Sequence, residues 1–139
     1  GISLEEKYRN QARSYFSRLL KNAQVVHFPE IEERLAPDRP LTDQERDDLI
    51  ETDLFVVGID RDTGDEIVLA VEVSWTVDLT DIERAVRRAQ IIAAHGAPAA
   101  AVAAGRELAA DAHTEAHQRG CGIMLGGQLQ LKPSLITTA

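Results

Sequence analysis

Two apolar runs, Asp53 to Ile59 and Glu66 to Trp75, separated by the short polar stretch Arg61-Asp62-Thr63-Gly64-Asp65, constrain this chain more than any other feature. Runs rich in Val, Ile and Leu that flank a polar, glycine-containing segment predict an antiparallel hairpin. Within the second run, Val68-Leu69-Ala70-Val71-Glu72-Val73 is almost continuously apolar, the pattern of a strand covered on both faces. Such a strand needs helices on either side. A carboxylate inside it, Glu72, needs a partner, because burying an isolated charge is costly.

The rest of the chain supplies the cover. Thr80-Asp81-Ile82-Glu83 reads as a capping box, and Ile82, Ala85, Val86, Ala89, Ile92 and Ala93 form one helical stripe ending at Gly96. Pro98 to Ala104 predicts a small-residue strand closed by Gly105, Glu107 to Arg119 a helix with Leu108, Ala112 and Ala116 inward, and Cys121 to Leu125 a last buried strand. Upstream, Leu4, Tyr8, Ala12, Tyr15, Phe16, Leu19 and Leu20 predict one amphipathic helix from Leu4 to Leu20. Val25 to Phe28 predicts a short strand ended by Pro29, and Thr42 with Glu45 a capped acidic helix through about Glu51. From Gly127 onward, an edge strand and a loose tail fit equally well. The expected organisation is one domain over 1–139: a helical part (1–52), a core (53–126) and a C-terminal tail (127–139).

Composition bounds the function. With 139 residues, 44% of them hydrophobic, the chain can bury one core without disulfides, and its single cysteine cannot form one internally. No apolar run is long enough to cross a bilayer and no signal sequence is evident, so a cytoplasmic protein without a membrane partner is expected. A net charge of −8 repels polyanions at long range, which disfavours tight non-specific nucleic-acid binding.

A turn centred on Thr63-Gly64 sets Asp53 opposite Ser74, with Glu72 as the diagonal neighbour of Asp53. All three then share one face. Two carboxylates so close repel unless a divalent cation lies between them or both ends open to water.

These residues resemble the PD-(D/E)XK nuclease superfamily, and more narrowly a group of bacterial proteins in which such a domain often follows a coiled coil. The likeness rests on Asp53-Leu54-Phe55-Val56-Val57-Gly58, Leu69-Ala70-Val71-Glu72-Val73-Ser74-Trp75, Asp81-Ile82-Glu83-Arg84-Ala85 with Arg88-Ala89, and Val102-Ala103-Ala104-Gly105. It implies an α/β fold, the restriction-endonuclease-like αβββαβ core, with a mixed central sheet flanked by helices. It also implies phosphodiester hydrolysis on nucleic acid, with Asp53 and Glu72 as ligands to Mg²⁺ or Mn²⁺. The lysine two residues after the acidic position is Ser74 here, which has no charge to stabilise hydroxide or phosphate. In that superfamily a neighbouring helix can supply the missing cation, which directs attention to Arg84, Arg87 and Arg88. Periodicity sets these arginines largely opposite the apolar stripe, facing away from the sheet, and Ile91 shares their face. The alternative expectation is a non-catalytic module that associates as a homodimer, or with a helical partner, through the first helix or the Arg84/Arg88/Ile91 surface.

Other residues carry plainer expectations. His113 and His117 are spaced for zinc but lack a third ligand, so exposed histidines are expected. Trp75 is expected to anchor against the following helix rather than stack on a base. Gln90 flanks the apolar stripe, and Cys121 reads as a buried small residue.

Overall fold

The computed structural model describes residues 1–136. Ser3 caps α1 (Leu4–Asn10), its hydroxyl accepting from the Glu6 N–H, and one further turn, α2 (Ala12–Tyr15), follows. The single helix expected through Leu20 therefore stops early. Leu20 instead opens β1 (Leu20–Val26), which pairs antiparallel with the first hairpin strand. The apolar spacing of Leu19, Leu20, Ala23 and Val26 suits a helix as well as a strand, and strand pairing decides between them. The short strand expected at Val25 to Phe28 is thus the end of a longer one, and Phe28 begins α3 (Phe28–Glu33) with Pro29 in its first turn.

Thr42 and Glu45 form the expected capping box of α4 (Asp43–Ile50). The hairpin strands are β2 (Leu54–Asp60) and β3 (Glu66–Val73). After them come β4 (Thr76–Val77) and the long α5 (Leu79–Ala94), capped by Asp78 with Asp81 rather than by Thr80 with Glu83. The two aspartates exchange side-chain and backbone hydrogen bonds of 3.0 and 3.1 Å, so the box starts two residues earlier than expected. Next are β5 (Ala99–Gly105), β6 (Glu107–Leu108), α6 (Ala112–Arg119), β7 (Gly122–Leu125) and β8 (Gln128–Leu131). Glu107 and Leu108 do not begin a helix, because they pair in parallel with Thr76 and Val77.

The main sheet has the order β1-β2-β3-β5-β7-β8, parallel at β3/β5 and β5/β7 and antiparallel elsewhere. The fold is mixed α/β with helices on both faces. On one face Ile82, Ala85, Ala89 and Ile92 of α5, with Ala112 and Ala116 of α6, cover Phe55, Val57, Val68, Ala70, Ala101 and Ala103. On the other, Tyr8, Ala12 and Phe16 cover Leu54, Val56, Leu69, Val71 and Val102. Every residue of β5, Ala-Ala-Ala-Val-Ala-Ala-Gly, is buried, and its small side chains let the layers approach closely. The stretch after Gly127 is an edge strand as far as Leu131, and residues 137–139 of the expected tail lie outside the described residues. At the opposite edge the β1 ladder shifts register between Lys21 and Gln24, where Asn22 takes a left-handed φ of 56°. Among the described residues no helix is long and apolar enough to cross a membrane.

Candidate functional site

The carboxyl ends of the parallel strands β3, β5 and β7 lie at one end of the sheet, and β2 starts there because it runs antiparallel to β3. In open α/β sheets this end is where ligands usually bind. The β2/β3 ladder pairs Leu54 with Val71 and Val57 with Val68, so one further step sets Asp53 opposite Glu72, not opposite Ser74. The turn is centred one residue earlier than expected: the Asp60 N–H donates to the Asp65 carbonyl at 2.8 Å, closing a loop of Arg61 to Gly64. A slip of two residues preserves the faces, so Asp53 and Glu72 still share one, and they lie closer than the expected register allowed. The Asp53 N–H donates to Glu72 Oε2 at 3.2 Å, and the Val73 N–H donates to Asp53 Oδ2 at 2.8 Å.

Glu72 is only 4% exposed, and its partner is Arg88. Arg88 Nη1 lies 2.8 Å from Glu72 Oε1, its Nε donates to Asp48 Oδ1 at 3.1 Å, and its Nη2 is 3.8 Å from Glu51 Oε2. The guanidinium therefore bridges β3 and α4 from its place on α5. This overturns the expectation that Arg88 faces away from the sheet. Asp81, Ala85, Arg88 and Ile92 are spaced i, i+4, i+7, i+11, a ridge that shares Ala85 and Ile92 with the edge of the stripe, and a side chain as long as arginine reaches inward from there. Asp81 and Arg88 are both buried, which that spacing could have signalled.

The neighbouring arginines behave differently. Arg87 forms a bidentate pair with Asp48, at 2.7 and 2.9 Å, and also pairs with Glu83. Arg84 lies exposed, as does Gln90. Ile91 packs against the core beside Arg87 and Asp48, so Arg84, Arg88 and Ile91 do not form one exposed surface.

The charges respond to these surroundings. Burial, followed by the Asp53 carboxylate, pushes the Glu72 carboxyl above its ordinary range, while Arg88 and the Asp53 N–H pull it back. The Arg87 and Arg88 guanidinium groups hold Asp48 below its usual range against a smaller effect of burial. Glu5 on α1 was not anticipated from sequence. Burial, then the charge and hydrogen-bonding contact of Asp53, raises its carboxyl, and Arg9 on the same helix donates to the Asp53 carbonyl at 3.2 Å. Nothing in the spacing of Glu5 links it to Asp53.

Ser74 lies just past β3, its N–H donating to the Ala104 carbonyl at 3.0 Å. Its hydroxyl favours the charged form of Asp81, whose carboxyl is raised chiefly by burial. Ser74 thus serves the N-terminus of α5 rather than the Asp53/Glu72 pair. Trp75 is 60% exposed, so it is not the anchor expected of it. Its carbonyl accepts from the Arg106 and Glu107 N–H groups, both at 2.9 Å, while the indole lies under the Arg106 guanidinium at 5.4 Å. His113 and His117 are exposed, and burial pushes the Cys121 thiol up to about 12.

No protein-family model, curated protein or solved structure matches this chain.

In this arrangement most of the carboxylate oxygens of the acidic pair already have partners within the protein, which leaves a thin donor set for Mg²⁺ or Mn²⁺. Both Glu72 oxygens are engaged, one by Arg88 and one by a backbone N–H, and Asp53 Oδ2 is engaged by Val73. A guanidinium 2.8 Å from Glu72 already supplies the positive charge that a cation would bring.

Proposed function

We propose that this chain is a PD-(D/E)XK-type domain whose acidic centre is closed by Arg88 in place of a divalent cation, leaving a non-catalytic binding module on a nuclease-derived scaffold. The element order favours the αβββαβ reading: helix, antiparallel β1, β2 and β3, then α5, then β5 parallel to β3. The observation that carries the proposal is the buried Glu72–Arg88 pair at 2.8 Å. An acidic residue on a strand covered on both faces matches the family's metal position, and its charge is satisfied from within the protein.

Titration calorimetry with Mn²⁺ tests this directly, alongside incubation with DNA and RNA in Mg²⁺. The expected outcome is no saturable metal binding into the millimolar range and no cleavage. Metal binding together with cleavage that Glu72→Ala abolishes would overturn the proposal in favour of metal-dependent phosphodiester hydrolysis. What favours this second reading is a third carboxyl group, Glu5, close enough to Asp53 to be raised by it, with Arg9 3.6 Å from Glu5 as their present cation.

A further inference from the structure

A cleft of about 310 Å³ opens between the N-terminal helices and the ends of β5 and β7, and Lys7, Tyr8, Tyr15, Arg106, Gly126 and Gly127 are among the residues lining it. Its floor is the Gly126–Gly127 turn, where both residues take left-handed φ values of 57° and 76°. A Cβ on Gly127 would stand 2.4 Å from Tyr15 Cε1, so the tyrosine ring lies directly on bare backbone. The wall is fixed by the fully buried Tyr8, whose hydroxyl donates to the Gly105 carbonyl at 2.8 Å and accepts from the Gly127 N–H at 3.1 Å. The Tyr8 and Tyr15 rings meet edge to face, with centroids 5.2 Å apart.

Two cations border this rigid, aromatic cleft. The Arg106 guanidinium lies over the Trp75 ring, 5.4 Å from its centroid, a contact that does not use its N–H donors and leaves them to an anion. Lys7 projects from α1 to the same cleft. Neither residue forms an ion pair among the described residues, which is equally true of Arg13, Arg18, Lys21, Arg84 and Arg119; what sets Lys7 and Arg106 apart is that both line one cleft with no acid among its lining residues. Two cations bordering one cleft, without an acid between them, are suited to an anionic ligand. The net charge of −8 disfavours a long polyanion, and the volume lies at the lower end of small-ligand pockets, which start at about 300 Å³.

We propose that this cleft binds a nucleoside monophosphate, its phosphate held by Lys7 and Arg106 and its base against the half-buried Tyr15 ring. The ligand is either the free nucleotide or the 5′-terminal nucleotide of a strand. This goes beyond the reading of the acidic centre and does not use Glu72.

Trp75 is the only tryptophan, so its fluorescence reports on Arg106 directly. The test is titration with adenosine monophosphate, adenosine and a 5′-phosphorylated oligonucleotide, all in EDTA, with calorimetry in parallel. The phosphate-bearing probes should bind saturably and adenosine should not. A response to the mononucleotide identifies the free ligand, and a response to the oligonucleotide alone identifies the strand end. Lys7→Gln and Arg106→Gln should each weaken binding roughly tenfold or more, as loss of a charge-assisted contact does, with unchanged circular dichroism. Glu72→Gln should leave affinity unchanged, which separates this site from the acidic centre. Absence of saturable binding by either phosphate probe, equal binding of adenosine, or wild-type affinity in Lys7→Gln would overturn the proposal.

Discussion

Arg88 and Arg106 stand at the same end of the sheet, and their surroundings give them opposite roles. Arg88 is 3% exposed and shared among Glu72, Asp48 and Glu51, so its charge is spent inside the protein. Arg106 is exposed, lies over an exposed tryptophan and is paired with no carboxylate among the described residues. A buried guanidinium fixes neighbouring elements to one another, whereas an exposed, oriented one is available to a ligand. The difference lies in what surrounds the residue, not in the residue itself.

The most severe way to break this contrast is to remove the buried cation. Arg88→Ala should cost about 3–5 kcal/mol in urea unfolding, because Glu72 is left buried and uncompensated. Replacing both partners, Glu72→Leu with Arg88→Met, should recover most of that loss; a double variant as unstable as the single one would show that the pair is not the cause. Asp48→Asn should cost about 1.5–3 kcal/mol at neutral pH, the range for hydrogen bonds to charged groups. Asp48 is depressed in the folded state, so its stabilisation is complete above the unfolded value of about 3.9 and is lost as pH falls through the folded value. Stability curves of the wild type and Asp48→Asn should therefore converge in acid.

His95 should contribute less and with the opposite sign. Its Nδ1 donates to the Arg39 carbonyl at 2.7 Å and its Nε2 to Glu45 at 3.0 Å, and the first of these contacts does most to raise its pKa. Its stabilisation should be fully present below about pH 6.5 and lost as pH rises through the raised folded value. His95→Gln should accordingly narrow its deficit between mildly acidic and alkaline pH. Arg106→Gln completes the comparison: its stability should stay within about 0.5 kcal/mol of wild type, as for surface positions without buried partners. A larger loss would make Arg106 a structural residue like Arg88.

Much of the frame was legible in the residues. The hairpin, the capped α4, the inward stripe of α5 and the small-residue strand β5 all follow from local pattern, because burial repeats every two or three to four positions. The same pattern carried Asp53 and Glu72 onto one face even though the register was off by two. Four features were harder to read or not legible. Arg88 lies at the edge of the stripe, where helical angle alone sets a residue outward; its spacing with Asp81 was a weak signal, and side-chain length brings it in. Leu20 changes from helix to strand because β2 lies beside it, a long-range pairing that local spacing does not encode. Trp75 is exposed on a backbone held by the Arg106 and Glu107 N–H groups, contacts about thirty residues away in sequence that local pattern does not encode. The contact of Glu5 with Asp53 joins residues far apart in the chain, and no motif predicts it.

The irregularity at Asn22 has a consequence for the protein at high concentration. A long, straight border strand is a template onto which another molecule's strand can add, and that is a common start of aggregation. Here the ladder breaks between Lys21 and Gln24, and Lys21, Asn22 and Gln24 are all exposed. The kink and its polar side chains deny an incoming strand a continuous row of partners, so this border of the sheet resists the contact its backbone would otherwise invite.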